Sequence, residues 1–170
     1  MMYSQRDSAT QRHAYTTFSF TGITLLGIAC ATTSYQTAAT GYVNAQSNAF
    51  LRAEITATMD STASAWNRGD LDGFVAFYDT AMSTTFVNPL RVLRGSVAIK
   101  EVYAPRFAPD GVRDSLSFEN IEVDLLSTDF ANVIAYYKLM RGDSTTARGP
   151  TSLVMRKCNG GWRIVHDHSS

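Results

Sequence analysis

Two histidines near the C-terminus, His166 and His168, are the side chains whose type and spacing most readily suggest chemistry. An imidazole titrates near neutrality, so either ring could give or take a proton. On a strand, a spacing of two puts both rings on one side, together with Trp162 and Ile164. Two such rings could also start a metal site, but no third ligand stands at a recognisable spacing, so neither a metal nor a cofactor is expected. The plainer reading makes both histidines polar strand residues that hydrogen-bond neighbours near the sheet's end or at a subunit interface. Asp79, at the end of a predicted helix, is the carboxylate best placed to approach an interior, and it joins the histidines and a tyrosine as a candidate acid–base group.

Asp70 and Asp72 look like paired carboxylates, but their position between two helices gives them other work. A cap at the helix start contributes about 0.5–2 kcal/mol, and an acid in the first turn complements the helix dipole.

The elements that must position these groups follow from periodicity. Leu51, Ile55, Met59, Ala63 and Trp66 recur at steps of four and three, the stripe of an amphipathic helix, and Gly69 can end it in a left-handed conformation. A shorter helix is expected from Leu71 to Tyr78, then a strand at Thr84 to Asn88 with a return at Val92-Leu93. A third helix is expected from Val97 to about Tyr103, closed by Pro105. From Asp114 the period becomes two. Leu116 and Phe118 alternate, and Ile121, Val123 and Leu125 alternate on the shifted phase, which implies a β-bulge at Glu119-Asn120. Strands at Ala131 to Met140, Thr151 to Lys157 and Trp162 to His168 follow, separated by Gly142-Asp143 and Asn159-Gly160-Gly161. Helices first and long antiparallel strands after predict an α+β fold: a cone-like α+β barrel of about three helices packed on a strongly curved, mainly antiparallel sheet.

Composition narrows the function classes. The 170 residues suit one domain, with 45% hydrophobic and 18% charged residues. Fifteen basic and fifteen acidic residues are scattered through the chain, so no basic stripe supports nucleic-acid binding. Residues 1–31 read as a secretory signal. Arg6, Arg12 and His13 precede an apolar run from Phe18 to Ala31 that is shorter than the ~20 residues a membrane-spanning helix needs. Gly27-Ile28-Ala29-Cys30 resembles a lipoprotein box, although Gly27 stands where such boxes usually carry a larger residue. Lipidation of Cys30 and simple cleavage near Ala31 therefore both stay open. The mature chain is expected to be periplasmic or secreted, with Cys30 as the one route to a lipid anchor and Cys158 left without a disulfide partner. Residues 32–45, rich in Thr, Ser, Ala, Gln and Gly, read as a flexible linker, and 46–170 as the folded domain.

Two segments carry a family likeness. Trp66-Asn67-Arg68-Gly69-Asp70-Leu71-Asp72-Gly73-Phe74, with Phe77-Tyr78, resembles the helix-turn-helix signature of the SnoaL-like and ketosteroid-isomerase-like branch of the nuclear transport factor 2-like superfamily. Gly161-Trp162-Arg163-Ile164-Val165-His166-Asp167-His168-Ser169 is similar to the last strand of that branch and of the calcium/calmodulin-dependent kinase II association domain. The resemblance covers about 120 residues and implies the cone. It does not carry over one function, because the scaffold hosts isomerases, dehydratases, carriers and oligomerisation domains. Related isomerases share an aspartate base and a tyrosine-containing oxyanion site inside the cone, and no residue here matches that set by motif.

In such a cone Trp66, Tyr78, Phe86, Tyr103, Phe118, Tyr137 and Trp162 lie on elements that line the cavity. An apolar cavity with a few polar ends is the usual form of a small-molecule site. The expectation is a homodimer with a pocket for a small apolar or amphipathic ligand. The alternatives are an isomerase- or dehydratase-type enzyme using His166 or His168 with Asp79 or a Tyr, and a pure oligomerisation domain. Export makes a direct prediction. The intact mass of protein recovered from a bacterial host should lack the signal residues, with or without a lipid on Cys30, whereas a full-length mass would contradict it.

Overall fold

The computed structural model describes the backbone of residues 32–170 and the side chains of residues 44–170. The signal read in 1–31, with Cys30, lies outside the described residues. The first helix, α1, spans Thr32–Asn67 and buries Ile55, Met59, Ala63 and Trp66 along the expected stripe. Residues 32–45 are helical backbone continuous with α1 where a linker was expected. No proline interrupts the stretch, and extending a formed helix gains one hydrogen bond per residue fixed. Gly69 ends the turn after α1 with φ +80°, a conformation that a Cβ would strain.

Asp70 caps the short α2, Leu71–Val75, by accepting from the Gly73 amide at 2.7 Å, and Asp72 lies in its first turn. Both aspartates therefore serve the helix start. The helix stops three residues before Tyr78, because the chain turns to pair with the last strand. The Asp79 amide donates to the Ile164 carbonyl, and the Ile164 amide to that of Phe77, each at 2.8 Å.

A hairpin of β1, Thr85–Asn88, and β2, Arg91–Arg94, leads into α3, Gly95–Phe107. Pro105, expected to close α3, lies inside it, and the helix continues to Phe107. The carbonyl deprived of a partner belongs to the exposed Glu101, so water can satisfy it. Four long strands follow: β3, Ser115–Leu125; β4, Phe130–Arg141; β5, Ser144–Cys158; and β6, Gly161–Ser169. The sheet order is β2-β1-β6-β5-β4-β3, antiparallel except where β1 runs parallel to β6. The bulge expected in β3 is present as a register shift between Glu119 and Glu122, with Asn120 at φ +52°.

One layer of helices packs on the concave face of this six-stranded sheet, which is the α+β cone. Two links fix α1 to the sheet's far edge. The Trp66 indole donates to the Asp114 carbonyl at 2.8 Å. The Asn67 amide pairs with both backbone groups of Leu116, at 2.7 and 2.8 Å, as an extra strand would. Between these anchors the core stays partly open, and the opening holds the site.

Candidate functional site

The inward side of the last strand is decided by one residue. Met155 on β5 pairs with Ile164, but its neighbour Val154 pairs with His166, so Val165 is an extra residue on β6. A bulge of this kind reverses the alternation beyond it. Trp162 and Ile164 face the interior before the bulge, and Asp167 faces it afterwards. The expectation that His166 and His168 share a side with Trp162 and Ile164 is thereby corrected. His166 lies on the other face, with its Nδ1 2.6 Å from the Thr85 hydroxyl, and His168 is exposed. The sequence did hold a sign of the break, because Ile164 and Val165 are adjacent apolar residues in an otherwise alternating strand.

The cavity that Asp167 enters has a volume of about 360 Å³, within the roughly 300–1,000 Å³ of small-molecule sites. Of the aromatic residues expected to line it, Trp66, Tyr78, Phe86, Tyr103, Phe118 and Tyr137 do so. Trp162 does not. It is fully buried beneath α1, its indole N–H directed at Glu54, and Lys157 joins the same carboxylate at 2.8 Å. Asp79 is also outside this cavity. It accepts from the Ala81 amide and from Arg156, and the Ala81 bond leads the effects that hold its carboxyl below the usual range. An aspartate committed to an arginine and a turn is a poor proton carrier.

Asp167 is the polar centre, and with Thr151 and Ser169 it was not among the expected residues. Its Oδ2 accepts from the Tyr78 hydroxyl at 2.6 Å, a length typical of an O–H donor on a charged oxygen. Its Oδ1 accepts from Ser169 at 2.9 Å and from Thr151 at 3.3 Å. Phe86 on β1 is its register partner on one side and Leu153 on β5 on the other. Only 5% of the residue is exposed, and it forms no ion pair among the described residues. Burial pushes its proton affinity up, and the three hydroxyls oppose that rise without cancelling it.

Tyr78 and Tyr103 are pushed the other way from usefulness as bases. Burial first, and then the Asp167 charge, raise both phenols above their ordinary value. Both therefore remain O–H donors at any physiological pH. Tyr103 stacks on Phe86 with centroids 5.6 Å apart and meets Trp66 and Phe74 edge-on at 5.5 and 5.1 Å. The result is an aromatic chamber with one carboxyl at its wall. Tyr137 donates to the Ser170 carbonyl at 3.2 Å at the mouth, where Asn88, Pro89 and Arg106 complete the rim.

The SnoaL-like domain family matches residues 55–170 of the chain. Among solved structures, an NTF2-like protein of unknown function from Shewanella oneidensis MR-1 is similar at 28% identity, with a TM-score of 0.62, covering 69% of this chain and 96% of its own. A nuclear transport factor 2-like superfamily protein from Salmonella enterica serovar Typhimurium LT2 is 23% identical, with a TM-score of 0.61 and coverage of 72% and 92%. A provisionally assigned calcium/calmodulin-dependent protein kinase type II association domain from Thiobacillus denitrificans is 24% identical, with a TM-score of 0.58 and coverage of 68% and 92%. The last two likenesses concern the fold alone. Comparison with curated proteins gave no match.

The raised proton affinity of Asp167 has a stability consequence with a definite sign. The folded chain holds this proton more tightly than the unfolded one. The associated stability is complete below the unfolded value of about 3.9 and is lost as pH rises through the raised folded value. Asp167→Asn is neutral throughout, so it should gain on the parent as pH rises. Thermal unfolding at pH 8 and at pH 4 should show a variant-minus-parent difference that favours the variant more at pH 8. A variant equally destabilised at both pH values would contradict this account.

Proposed function

We propose that this chain, which belongs to the SnoaL-like domain family, binds a small, mainly apolar molecule inside its cone and holds one polar group of that molecule at Asp167. The observation that carries this reading is the buried Asp167–Tyr78 pair at the wall of an otherwise aromatic and aliphatic cavity. Apolar walls supply affinity through burial, about 25 cal/mol per Å² removed from water, and the carboxyl supplies orientation. A cavity serving only as leftover packing space has no use for a buried carboxyl without a cation, which costs folding free energy.

A second reading is favoured by the same residue's raised proton affinity. An aspartate desolvated among rings, beside a tyrosine that stays protonated, has the parts of an acid–base catalyst of the isomerase or dehydratase type. On that reading the proton carrier is Asp167, in place of His166, His168 and Asp79. Asp167→Asn should then lower turnover of a substrate by ~10²–10⁴-fold.

Export of the chain and a homodimer are further proposals that accompany this function. The outer sheet face supports the dimer, with Phe130, Ile134 and Tyr136 exposed on β4. In solution, 2-naphthol added to labelled protein should shift the NMR signals of cavity residues, and Ala147→Trp, which fills the cavity, should abolish the shifts. Shifts scattered over the surface, or retained in the filled variant, would sink the binding reading, and a monomer at micromolar concentration would sink the dimer.

A further inference from the structure

Resting on the binding reading above, we infer that the cavity selects a cationic amine, with its N–H⁺ on the Asp167 carboxylate and its carbon frame among Phe86, Tyr103 and Trp66. The hydroxyls of Tyr78, Ser169 and Thr151 all lie within hydrogen-bond reach of the carboxyl, so its charged form finds three donors in place. It nevertheless lacks a countercharge, since no described residue forms an ion pair with it. Every other well-buried carboxylate of the domain has its cation: Asp79 has Arg156, and Asp114 has Arg141. The exception is the one that opens into the cavity.

The surroundings fit the missing charge. Phe86 is the register partner of Asp167 across the parallel β1–β6 pair, and Tyr103 stacks on Phe86. Ring faces attract a cation within about 6 Å, and more strongly when water is excluded. A carboxylate ligand would meet repulsion at Asp167, and a neutral ligand would leave the buried charge uncompensated. The charged and titratable groups facing this point are few. Tyr78 comes from the segment after α2, Tyr103 and Arg106 from α3, Tyr137 from β4, and His166 lies on the outer side of β6. Arg106 is exposed at the rim, where water screens its repulsion of an incoming cation.

The test is calorimetric titration at pH 7.5 with three probes of similar size: phenethylamine, 2-phenylethanol and 3-phenylpropanoate. Phenethylamine should bind about tenfold or more tightly than 2-phenylethanol, and 3-phenylpropanoate least. Asp167→Asn should cost the amine about tenfold while leaving the alcohol within about threefold. Phe86→Leu keeps the charge and removes a ring, and it should weaken the amine more than the alcohol. Equal affinity for amine and alcohol, or an amine indifferent to Asp167→Asn, would overturn the inference and leave the binding reading standing. Failure of all three probes and of 2-naphthol to bind would overturn both.

Discussion

The hydrogen bond from Tyr78 to Asp167 joins the two parts of the domain whose meeting makes the site. Tyr78 comes from the chain leaving α2, and Asp167 from the last strand, 89 residues later. Its length is that of a hydroxyl on a charged oxygen, and both elements it joins are fixed. Tyr78 bridges to Ile164 through backbone hydrogen bonds on either side of it, so its ring cannot slide along β6. The Val165 bulge then turns Asp167 inward to meet it. If the bulge were absent, strict alternation would send His166 and His168 into the cavity and Asp167 outward, and the interior would have a different chemistry.

Burying a carboxyl without a cation opposes folding, and the structure limits that cost with three hydroxyl donors instead of removing it. Stability elsewhere offsets it. Trp66, Phe74, Tyr103 and Phe107 pack edge to face at 5.1–5.5 Å around the end of α1. Trp66 and Asn67 anchor the helix to β3. Such a balance, with a rigid frame around one unfavourable group, is the usual arrangement where a buried group is kept for function.

Much of this was legible in the sequence, and the part that was not has a physical reason. The α1 stripe, the Asp70 cap and the β3 bulge each leave a mark on apolar spacing or turn chemistry. In β3 the bulge is visible because apolar residues continue on both sides of it and change phase. In β6 the inward residues beyond the bulge are Asp167 and Ser169, both polar, so the change of phase leaves no apolar trace. The histidines then draw attention by chemical type, although they sit on the outer face. Trp162 was placed in the cavity by its strand and its size, but the ends of a cone are filled by packing, and it is there that it pairs with Glu54. Asp79 looked free until Arg156 on a distant strand was brought beside it.

Asp167 is a buried carboxyl held by Tyr78 and desolvated by the cavity walls. The most direct measurement is the titration of its side-chain carboxyl carbon by NMR in the folded protein. The expected midpoint lies above the ordinary value of about 3.9 and rises further in Tyr78→Phe, which removes a donor to the charged form. A midpoint at or below the ordinary value, or one unmoved by Tyr78→Phe, would contradict it.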